Sequence, residues 1–233
     1  MIFPDPISVY IHFPFCLSKC FYCDFYSEDR TVKKTDKYLK ALSTEIRNWH
    51  NRMGMTQPGS IYIGGGSPSL MTETQWEILS MTIKEAFSIR DECEYTIECN
   101  PETYSLKKAV CWRDTGVNRL SLGIQSLNPD LLKRIGRPHT EKESLDILEN
   151  LKENPLFTNV SVDLMYGLPG QTTTDINRDT SALIHNYPFI KHFSVYELEM
   201  KDNTKIMRYL NSHLMPDEED LIEMNRAVSE SLR

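Results

Sequence analysis

Short apolar runs rich in β-branched and aromatic residues alternate six times along this chain with longer amphipathic stretches. Such runs favour β-strands, and the amphipathic stretches have helical length and periodicity. The predicted strands are Ile7–His12, Ile61–Ile63, Tyr95–Glu98, Arg119–Leu122, Val160–Leu164 and His192–Tyr196. The predicted helices are Tyr38–Asn51, Glu73–Phe87, Leu106–Asp114, Glu141–Leu151, Asp175–Asn186 and Glu218–Ser231. This α/β pattern predicts a parallel sheet, either open and doubly wound or curved into a partial barrel.

Several helix boundaries carry local signals of their own. Thr72 can cap a helix whose third residue is Gln75, and Ser105 can cap the helix that follows. Gly116 comes just after the last polar turn of that second helix, where glycine commonly ends helices. These signals support the predicted element boundaries.

Composition and charge restrict the class of protein. The chain has 233 residues, of which 40% are hydrophobic and 25% charged, and we expect residues 1–233 to form one globular domain. The formal net charge of −7 disfavours the broad basic surface that nucleic acid requires. The sequence shows neither a secretion signal nor an apolar run long enough to cross a membrane. We therefore expect a cytoplasmic protein without nucleic acid or a stable membrane anchor.

The unusual residues of the sequence follow directly after successive predicted strands. In parallel α/β sheets the carboxyl ends of the strands form one rim, which is where ligands bind. The five segments are Cys16–Cys23, Gly64–Ser69, Glu98–Pro101, Gly123–Ser126 and Tyr166–Thr172. We expect these segments to share one rim of the sheet.

Three of the six cysteines lie within eight residues, in the spacing C-x3-C-x2-C at Cys16, Cys20 and Cys23. A reducing compartment favours metal ligation over disulfide bonds at such a cluster. Three thiolates on a four-iron cluster would leave one iron open to a substrate, for instance the amino and carboxylate groups of a methionine. A structural zinc site is the alternative, but it needs a fourth ligand, and His12 lies on a predicted strand. We expect the remaining cysteines to be small core residues, namely Cys93, Cys99 and Cys111.

The cysteine motif and five further segments together resemble the radical SAM enzymes. The matching segments are YIHFPFCLSKCFYCDF at Tyr10–Phe25, GGGSPS at Gly64–Ser69, ECNP at Glu98–Pro101, NRLSLGIQS at Asn118–Ser126, GRPH at Gly136–His139 and DLMYGLPGQT at Asp163–Thr172. The resemblance is to the branch of the oxygen-independent coproporphyrinogen III oxidases and the radical SAM heme chaperones. It implies a partial (β/α)6 TIM-type barrel and a [4Fe-4S] cluster on Cys16, Cys20 and Cys23.

The same resemblance implies a set of residues that bind S-adenosylmethionine (SAM). They are Tyr10, Tyr22, Gly65, Gly66, Ser67, Glu98, Gln125, Arg137 and Asp163. Ser67 departs from the more usual threonine but keeps the hydroxyl group.

General chemistry fits several of these roles. The Gly64–Gly66 turn can bring backbone N–H and C=O groups close to a zwitterion, and the guanidinium fork of Arg137 suits a carboxylate. Read without the resemblance, Glu98 and Gln125 could equally belong to surface ion pairs, and a tyrosine is more often a core residue. We expect His139 to be a solvated loop residue without a role in the site.

The implied chemistry begins with an electron from a flavodoxin-type or ferredoxin-type donor. It passes through the cluster to SAM and cleaves a C–S bond, which yields methionine and a 5′-deoxyadenosyl radical. The catalytic version of this family is an oxidoreductase of the coproporphyrinogen dehydrogenase type.

Two features bear on the branch. The oxidases usually carry a further cysteine two residues after the third, where this chain has Phe25, and they have a longer segment before the residue that corresponds to Tyr10. Heme chaperones typically continue into a C-terminal domain with an H-N-x-x-Y-W segment, which residues 1–233 do not contain. We therefore expect a radical SAM core that binds heme and transfers it to an acceptor protein. Coproporphyrinogen III decarboxylation and a non-catalytic Fe–S or zinc module are the alternatives.

Overall fold

The computed structural model describes residues 7–233. Its strands are β1 (Ile7–Phe13), β2 (Phe15–Cys16), β3 (Glu28–Asp29), β4 (Pro58–Gly65), β5 (Glu94–Cys99), β6 (Arg119–Gln125), β7 (Asn159–Tyr166) and β8 (Ile190–Glu197). Its α-helices are α1 (Val32–Met53), α2 (Glu73–Ala86), α3 (Leu106–Asp114), α4 (Pro129–Arg134), α5 (Glu141–Glu153), α6 (Thr173–Asn186) and α7 (Glu218–Ser231). Short 3-10 helices span Pro68–Leu70, Pro101–Thr103 and Lys205–Tyr209.

Six of the strands form one parallel sheet in the order β1-β4-β5-β6-β7-β8. The register places Tyr10 opposite Tyr62 and Ile61 opposite Tyr95. A doubly wound sheet reverses its strand order at a switch point, whereas these strands follow chain order throughout. The structure therefore selects the partial (β/α)6 TIM-type fold over the open alternative.

All twelve predicted strands and helices are present, and most are longer than predicted. The largest difference is at α1, which begins at Val32 because Thr31 caps it by accepting a hydrogen bond from the N–H of Lys34. Sequence periodicity missed α4, β2 and β3, which have only six, two and two residues. Segments this short contain too few residues to show a period.

The predicted helix caps are confirmed. Thr72 and Gln75 form a reciprocal capping box at the start of α2, and Ser105 accepts from the N–H of Lys108 at the start of α3. Gly116 follows α3 with a φ of 109°, a conformation that favours glycine.

The described chain divides into two compact units. The N-terminal unit comprises residues 7–17, Tyr26–Cys99 and Thr103–Leu120. Its core contains the inward side chains of β4 and β5 and the buried face of α2, including Ile63, Ile97 and Trp76. The Trp76 indole N–H also donates to the hydroxyl of Thr115, at 2.8 Å, so this buried polar group is paired.

The C-terminal unit comprises Ser18–Phe25, Asn100–Glu102 and Ser121–Arg233. Nearly all residues of β6 and β7 are buried. One apolar cluster of the unit combines Ile135, Leu168 and Ile206 with the half-buried Phe21 and Tyr22. The segment with two of the motif cysteines therefore packs on the core of this unit.

Across residues 7–233, the helices are too short or too polar to span a lipid bilayer.

Candidate functional site

The glycine turn after β4 is closely packed in the N-terminal unit. Gly65 has a φ of 113°, and a Cβ atom there would lie 2.6 Å from the ring of His12. A Cβ atom on Gly66 would lie 2.6 Å from the carbonyl oxygen of Phe15. A side chain at either position would clash, so the chain requires glycine at both.

The N–H groups of this turn already have partners within the chain. Gly66 donates to the carbonyl of Phe13 at 2.7 Å, and Ser67 donates to the carbonyl of Phe15 at 2.8 Å. The N–H of Gly65 donates to the carboxylate of Glu98 at 3.0 Å. The expectation that these N–H groups face a ligand is therefore wrong, because the end of β1, the start of β2 and the end of β5 accept their hydrogen bonds. The turn can still offer carbonyl oxygens to a ligand.

Glu98, at the end of β5, lies beside this turn. Besides the Gly65 N–H, its carboxylate accepts a hydrogen bond from the hydroxyl of Tyr62 at 2.7 Å. The ring of Tyr62 stacks on that of Tyr10, with 6.0 Å between the centroids. Partial burial, and then the charge of Glu98, raise the pKa of the Tyr10 hydroxyl, which lies 3.0 Å from Nδ1 of His12. The structure thus brings three predicted SAM contacts together, namely Tyr10, Gly65 and Glu98.

Cys16, the first cysteine of the motif, also belongs to the N-terminal unit. It lies in β2, where it pairs with Asp29 of β3, and it is half-buried and forms no disulfide bond. Cys20 and Cys23 are half-buried free thiols of the C-terminal unit. Burial raises the pKa of the Cys23 thiol, an effect that a positively charged metal centre would oppose. Across residues 7–233, no three His, Cys, Asp or Glu side chains already stand in a metal-binding arrangement.

Arg137 is the main polar contact of the cysteine segment in the C-terminal unit. Its Nη1 lies 3.5 Å from Sγ of Cys20, and its Nη2 donates to Oδ1 of Asn100 at 2.9 Å and to the carbonyl of Gly123 at 2.5 Å. Its Nε lies 3.4 Å from Nδ1 of His139. Four of the five guanidinium N–H groups thus face the chain itself. The chemistry of a guanidinium alone suggests a two-point contact with a ligand carboxylate. In this structure, the contacts of Arg137 within the chain leave no open fork for such a contact.

The charge of Arg137 suits a neighbouring thiolate. Metal is bound by the thiolate form of cysteine, whose negative charge a nearby guanidinium complements. A Cβ atom on Gly123 would lie 2.7 Å from Oδ1 of Asn100 and 3.1 Å from Nη2 of Arg137, so this approach requires glycine. Together with the three cysteine side chains of the motif, this donor chemistry fits an iron–sulfur cluster.

Tyr22 lies between the two cysteines of the C-terminal unit and packs against its apolar cluster. Burial raises the pKa of its hydroxyl, and the charge of Arg137 offsets only part of the effect. The phenol therefore stays protonated and keeps a hydrogen to donate.

Gln125 and Asp163 are the remaining predicted SAM contacts of this unit. Gln125 ends β6 with a φ of 69° and is 9% exposed. Asp163 is half-buried on β7, with both carboxylate oxygens 3.4 Å from the hydroxyl of Ser121. Gln125 follows two residues after Gly123, whose carbonyl oxygen accepts a hydrogen bond from Arg137. Gln125 is thus close in sequence to the polar contacts of Arg137.

His139 corrects the sequence interpretation. It is 3% exposed rather than solvated, and its Nε2 lies 3.0 Å from the carbonyl oxygen of Ile124. Its Nδ1 lies 3.5 Å from Oε2 of Glu102, a buried oxygen without a hydrogen-bond partner. His139 is buried because the chain turns back onto β6 after Gly136. Local sequence does not reveal this contact.

Sequence interpretation also missed Asn100, Glu102 and Asp179 as polar partners around this part of the unit. Asn100 and Glu102 belong to the short segment after β5, beside the predicted contact Glu98. Their position after a strand was the available signal. Asp179 lies inside α6, where a single acidic residue gives no signal.

The remaining three cysteines lie outside the motif segment. Cys93 and Cys99 are each 2% exposed, as expected for small core residues, whereas Cys111 is half-buried. None of the six cysteines, all of which lie within residues 7–233, forms a disulfide bond.

Comparison with known proteins adds the following relatives. Residues 10–181 match the model of the Radical SAM superfamily. The heme chaperone HemW of Bacillus subtilis is 36% identical over 217 residues, which cover 91% of this chain and 56% of the relative. The heme chaperone HemW of Lactococcus lactis is 35% identical over 229 residues, which cover 97% of this chain and 59% of the relative. The chain thus spans somewhat more than half the length of these curated relatives.

Among solved structures, the coproporphyrinogen III oxidase HemN of Escherichia coli has a TM-score of 0.86 at 25% identity. The match covers 97% of this chain and 53% of the oxidase. The archaeal Elp3 of Methanocaldococcus infernus has a TM-score of 0.61 at 17% identity, which shows a shared fold. The family model covers well over half of the sequence and includes the cysteine motif, the glycine turn and the ends of β5, β6 and β7. This chain belongs to the radical SAM superfamily.

Proposed function

We propose that this chain is the radical SAM core of a heme chaperone, which binds heme and transfers it to an acceptor protein. The supporting observation is its similarity to curated heme chaperones, at 31–36% identity over most of this chain, against 25% identity to the coproporphyrinogen III oxidase structure. Phe25 stands where the oxidases usually have a further cysteine, which points the same way.

The cluster ligands in this proposal are Cys16, Cys20 and Cys23. Their spacing within one short segment suits a [4Fe-4S] cluster with one iron left open, and Nη1 of Arg137 lies 3.5 Å from Sγ of Cys20. When bound, the cluster would supply the electron for reductive cleavage of SAM, received from a flavodoxin-type or ferredoxin-type donor.

The SAM contacts in this proposal are Tyr10, Tyr22, Gly65, Gly66, Ser67, Glu98, Gln125, Arg137 and Asp163. Glu98 is an acceptor for an ammonium group or ribose hydroxyls, and the carbonyl groups of the glycine turn can accept from the ammonium group as well. Arg137 acts mainly by holding Cys20, Asn100 and Gly123 in place.

Iron content tests the ligand assignment. After anaerobic reconstitution, Cys16→Ala, Cys20→Ala and Cys23→Ala should each lose nearly all bound iron, because the remaining two thiolates hold a four-iron cluster poorly. Cys93→Ala, Cys99→Ala and Cys111→Ala are the matched controls and should keep it. Equal loss in both groups contradicts the assignment, and bound zinc in place of iron would favour a zinc module.

Heme titration tests the function. The reconstituted chain should bind heme stoichiometrically and pass it to an apo-heme protein, measured by the shift of the heme absorption band. Incubation with coproporphyrinogen III, SAM and a reductant should yield no protoporphyrinogen IX. Formation of that product would favour the oxidase, which the TM-score of 0.86 to the E. coli enzyme supports as the second candidate. Absence of both heme binding and product would contradict both candidates.

A further inference from the structure

The backbone makes an unusual turn where β6 ends. Gln125 has a φ of 69° and is the single non-glycine residue with positive φ among residues 7–233. The N–H of Ser126 donates to the carbonyl of Ile124 at 2.9 Å, which closes a three-residue turn with Gln125 at its centre. Tight turns with positive φ at a side-chain-bearing residue are rare and strained, and they persist where their surroundings hold them.

Asp179 of α6 holds one side of this turn. Its carboxylate is fully buried, and one oxygen accepts from the hydroxyl of Ser126 at 2.6 Å and from the N–H of Leu127 at 2.9 Å. Its other oxygen lies 3.2 Å from Nη2 of Arg178. A buried carboxylate is costly unless it accepts hydrogen bonds, and hydrogen bonds to a charged acceptor are stronger than neutral ones. The turn supplies two of those hydrogen bonds.

His139 holds the other side of the turn. Its Nε2 lies 3.0 Å from the carbonyl oxygen of Ile124, which can only accept, so Nε2 carries the hydrogen. Side chains from separate parts of the chain therefore hold residues 124, 126 and 127, on both sides of Gln125. The backbone of the residue between them is therefore restricted, which sets the direction in which its Cα–Cβ bond points.

We propose that Asp179 is a positioning residue for SAM binding, which forces the strained turn and thereby directs the side chain of Gln125 toward the ligand. The inference rests on the proposed function, in which Gln125 contacts SAM. Asp179 itself does not touch SAM. Its effect on affinity passes through the side chain of Gln125.

A double-mutant cycle on the reconstituted 233-residue chain separates positioning from general support of the structure. In the wild-type background, Asp179→Ala should raise the Kd for SAM about tenfold, the equivalent of one lost hydrogen bond. In the Gln125→Gly background, the same change should alter the Kd by less than about twofold, because no side chain remains to be positioned. The Kd is measured by anaerobic equilibrium dialysis. If Asp179→Ala raises the Kd for SAM by the same factor in both backgrounds, the inference is overturned. It is also overturned if Gln125→Gly alone does not change the Kd.

Two further variants keep the test decisive. Asp179→Asn retains the shape and one acceptor, so it should fold even if Asp179→Ala does not, and it should raise the Kd about threefold with the same dependence on Gln125. Thr180→Val is the control, because the adjacent Thr180 is also buried but bonds only within α6. Thr180→Val should leave the Kd for SAM unchanged. If it raises the Kd as much as Asp179→Asn does, the proposal is contradicted.

Hydrogen exchange distinguishes failure of this inference from failure of the proposed function. If the wild-type chain retains its cluster but does not bind SAM, the proposed function fails. The Leu127 amide should still exchange faster in Asp179→Asn than in Thr180→Val, since its acceptor is weakened. Unchanged exchange at Leu127 shows that Asp179 does not hold the turn, and this result overturns the inference whether or not SAM binds.

Discussion

Arg137 shows at the scale of single residues how much depends on partners distant in sequence. Its guanidinium contacts Cys20, Asn100, Gly123 and His139, of which only His139 is near it along the chain. The family resemblance implied that Arg137 belongs to the site. The structure shows four contacts of Arg137 within the chain. Because of these contacts, Arg137 connects parts of the chain to one another and does not present a guanidinium open to a ligand carboxylate.

Arg137→Lys should lower the free energy of unfolding by about 2 kcal/mol, because a lysine ammonium cannot reach several acceptors in different directions. Urea denaturation of the chain without its cluster measures the change. Arg134→Lys is the control, since Arg134 donates to a single acceptor, the carbonyl of Pro169 at 3.0 Å, which lysine can also reach. If the two variants lose the same stability, the contacts of Arg137 contribute less than their number suggests.

At the scale of elements, the segment Ser18–Phe25 is anchored through Phe21. The N–H of Phe21 donates to the carbonyl of Ile135 at 2.8 Å, and its own carbonyl accepts from Ile206 at 2.8 Å. The Phe21 ring lies against Gly136. The guanidinium of Arg208 lies over the same ring, 4.5 Å from its centroid. The segment with Cys20 and Cys23 is thus held by the chain after α4 and by the 3-10 helix Lys205–Tyr209.

Gly136→Ala should loosen this anchor. Gly136 has a φ of 71°, and a Cβ atom there would lie 2.6 Å from the Phe21 ring, so the variant adds about 1–3 kcal/mol of overpacking to its backbone strain. Gly116→Ala is the control, with a φ of 109° but an ordinary distance of 3.8 Å to Tyr95. We expect lower stability for both, and a lower iron content after reconstitution only for Gly136→Ala. Full iron retention in Gly136→Ala would show that this anchor does not support the cluster segment.

At the scale of the whole molecule, the proposed cluster couples ligand binding to stability. A group that binds the folded chain and not the unfolded one stabilises the fold by mass action.

Reconstitution of the cluster should therefore raise the Tm of the chain by about 5–10 °C, the shift expected for a ligand at roughly 100 times its Kd in a protein of this size. Anaerobic calorimetry measures the change. Cys20→Ala treated with the same reagents should show no shift. A Tm that rises equally in Cys20→Ala would indicate stabilisation by iron bound elsewhere.

The sequence determined the order of the strands and helices, the capping residues at Thr72 and Ser105, and the segments that carry the site. These properties are local, because periodicity and caps involve residues within a few positions of one another. Family resemblance then supplied residue roles that spacing alone could not. Elements of two residues, such as β2, are too short for a periodic pattern to be detected in the sequence.

Only the tertiary structure decided which of these groups still face a ligand. The glycine-turn N–H groups donate to Phe13, Phe15 and Glu98, and His139 is buried against β6 rather than solvated. Likewise, the residue after the left-handed Gln125 hydrogen-bonds to Asp179, which lies 54 positions after Gln125 in the chain. A hydrogen bond between distant segments exists only after the chain has folded, so no local pattern records it.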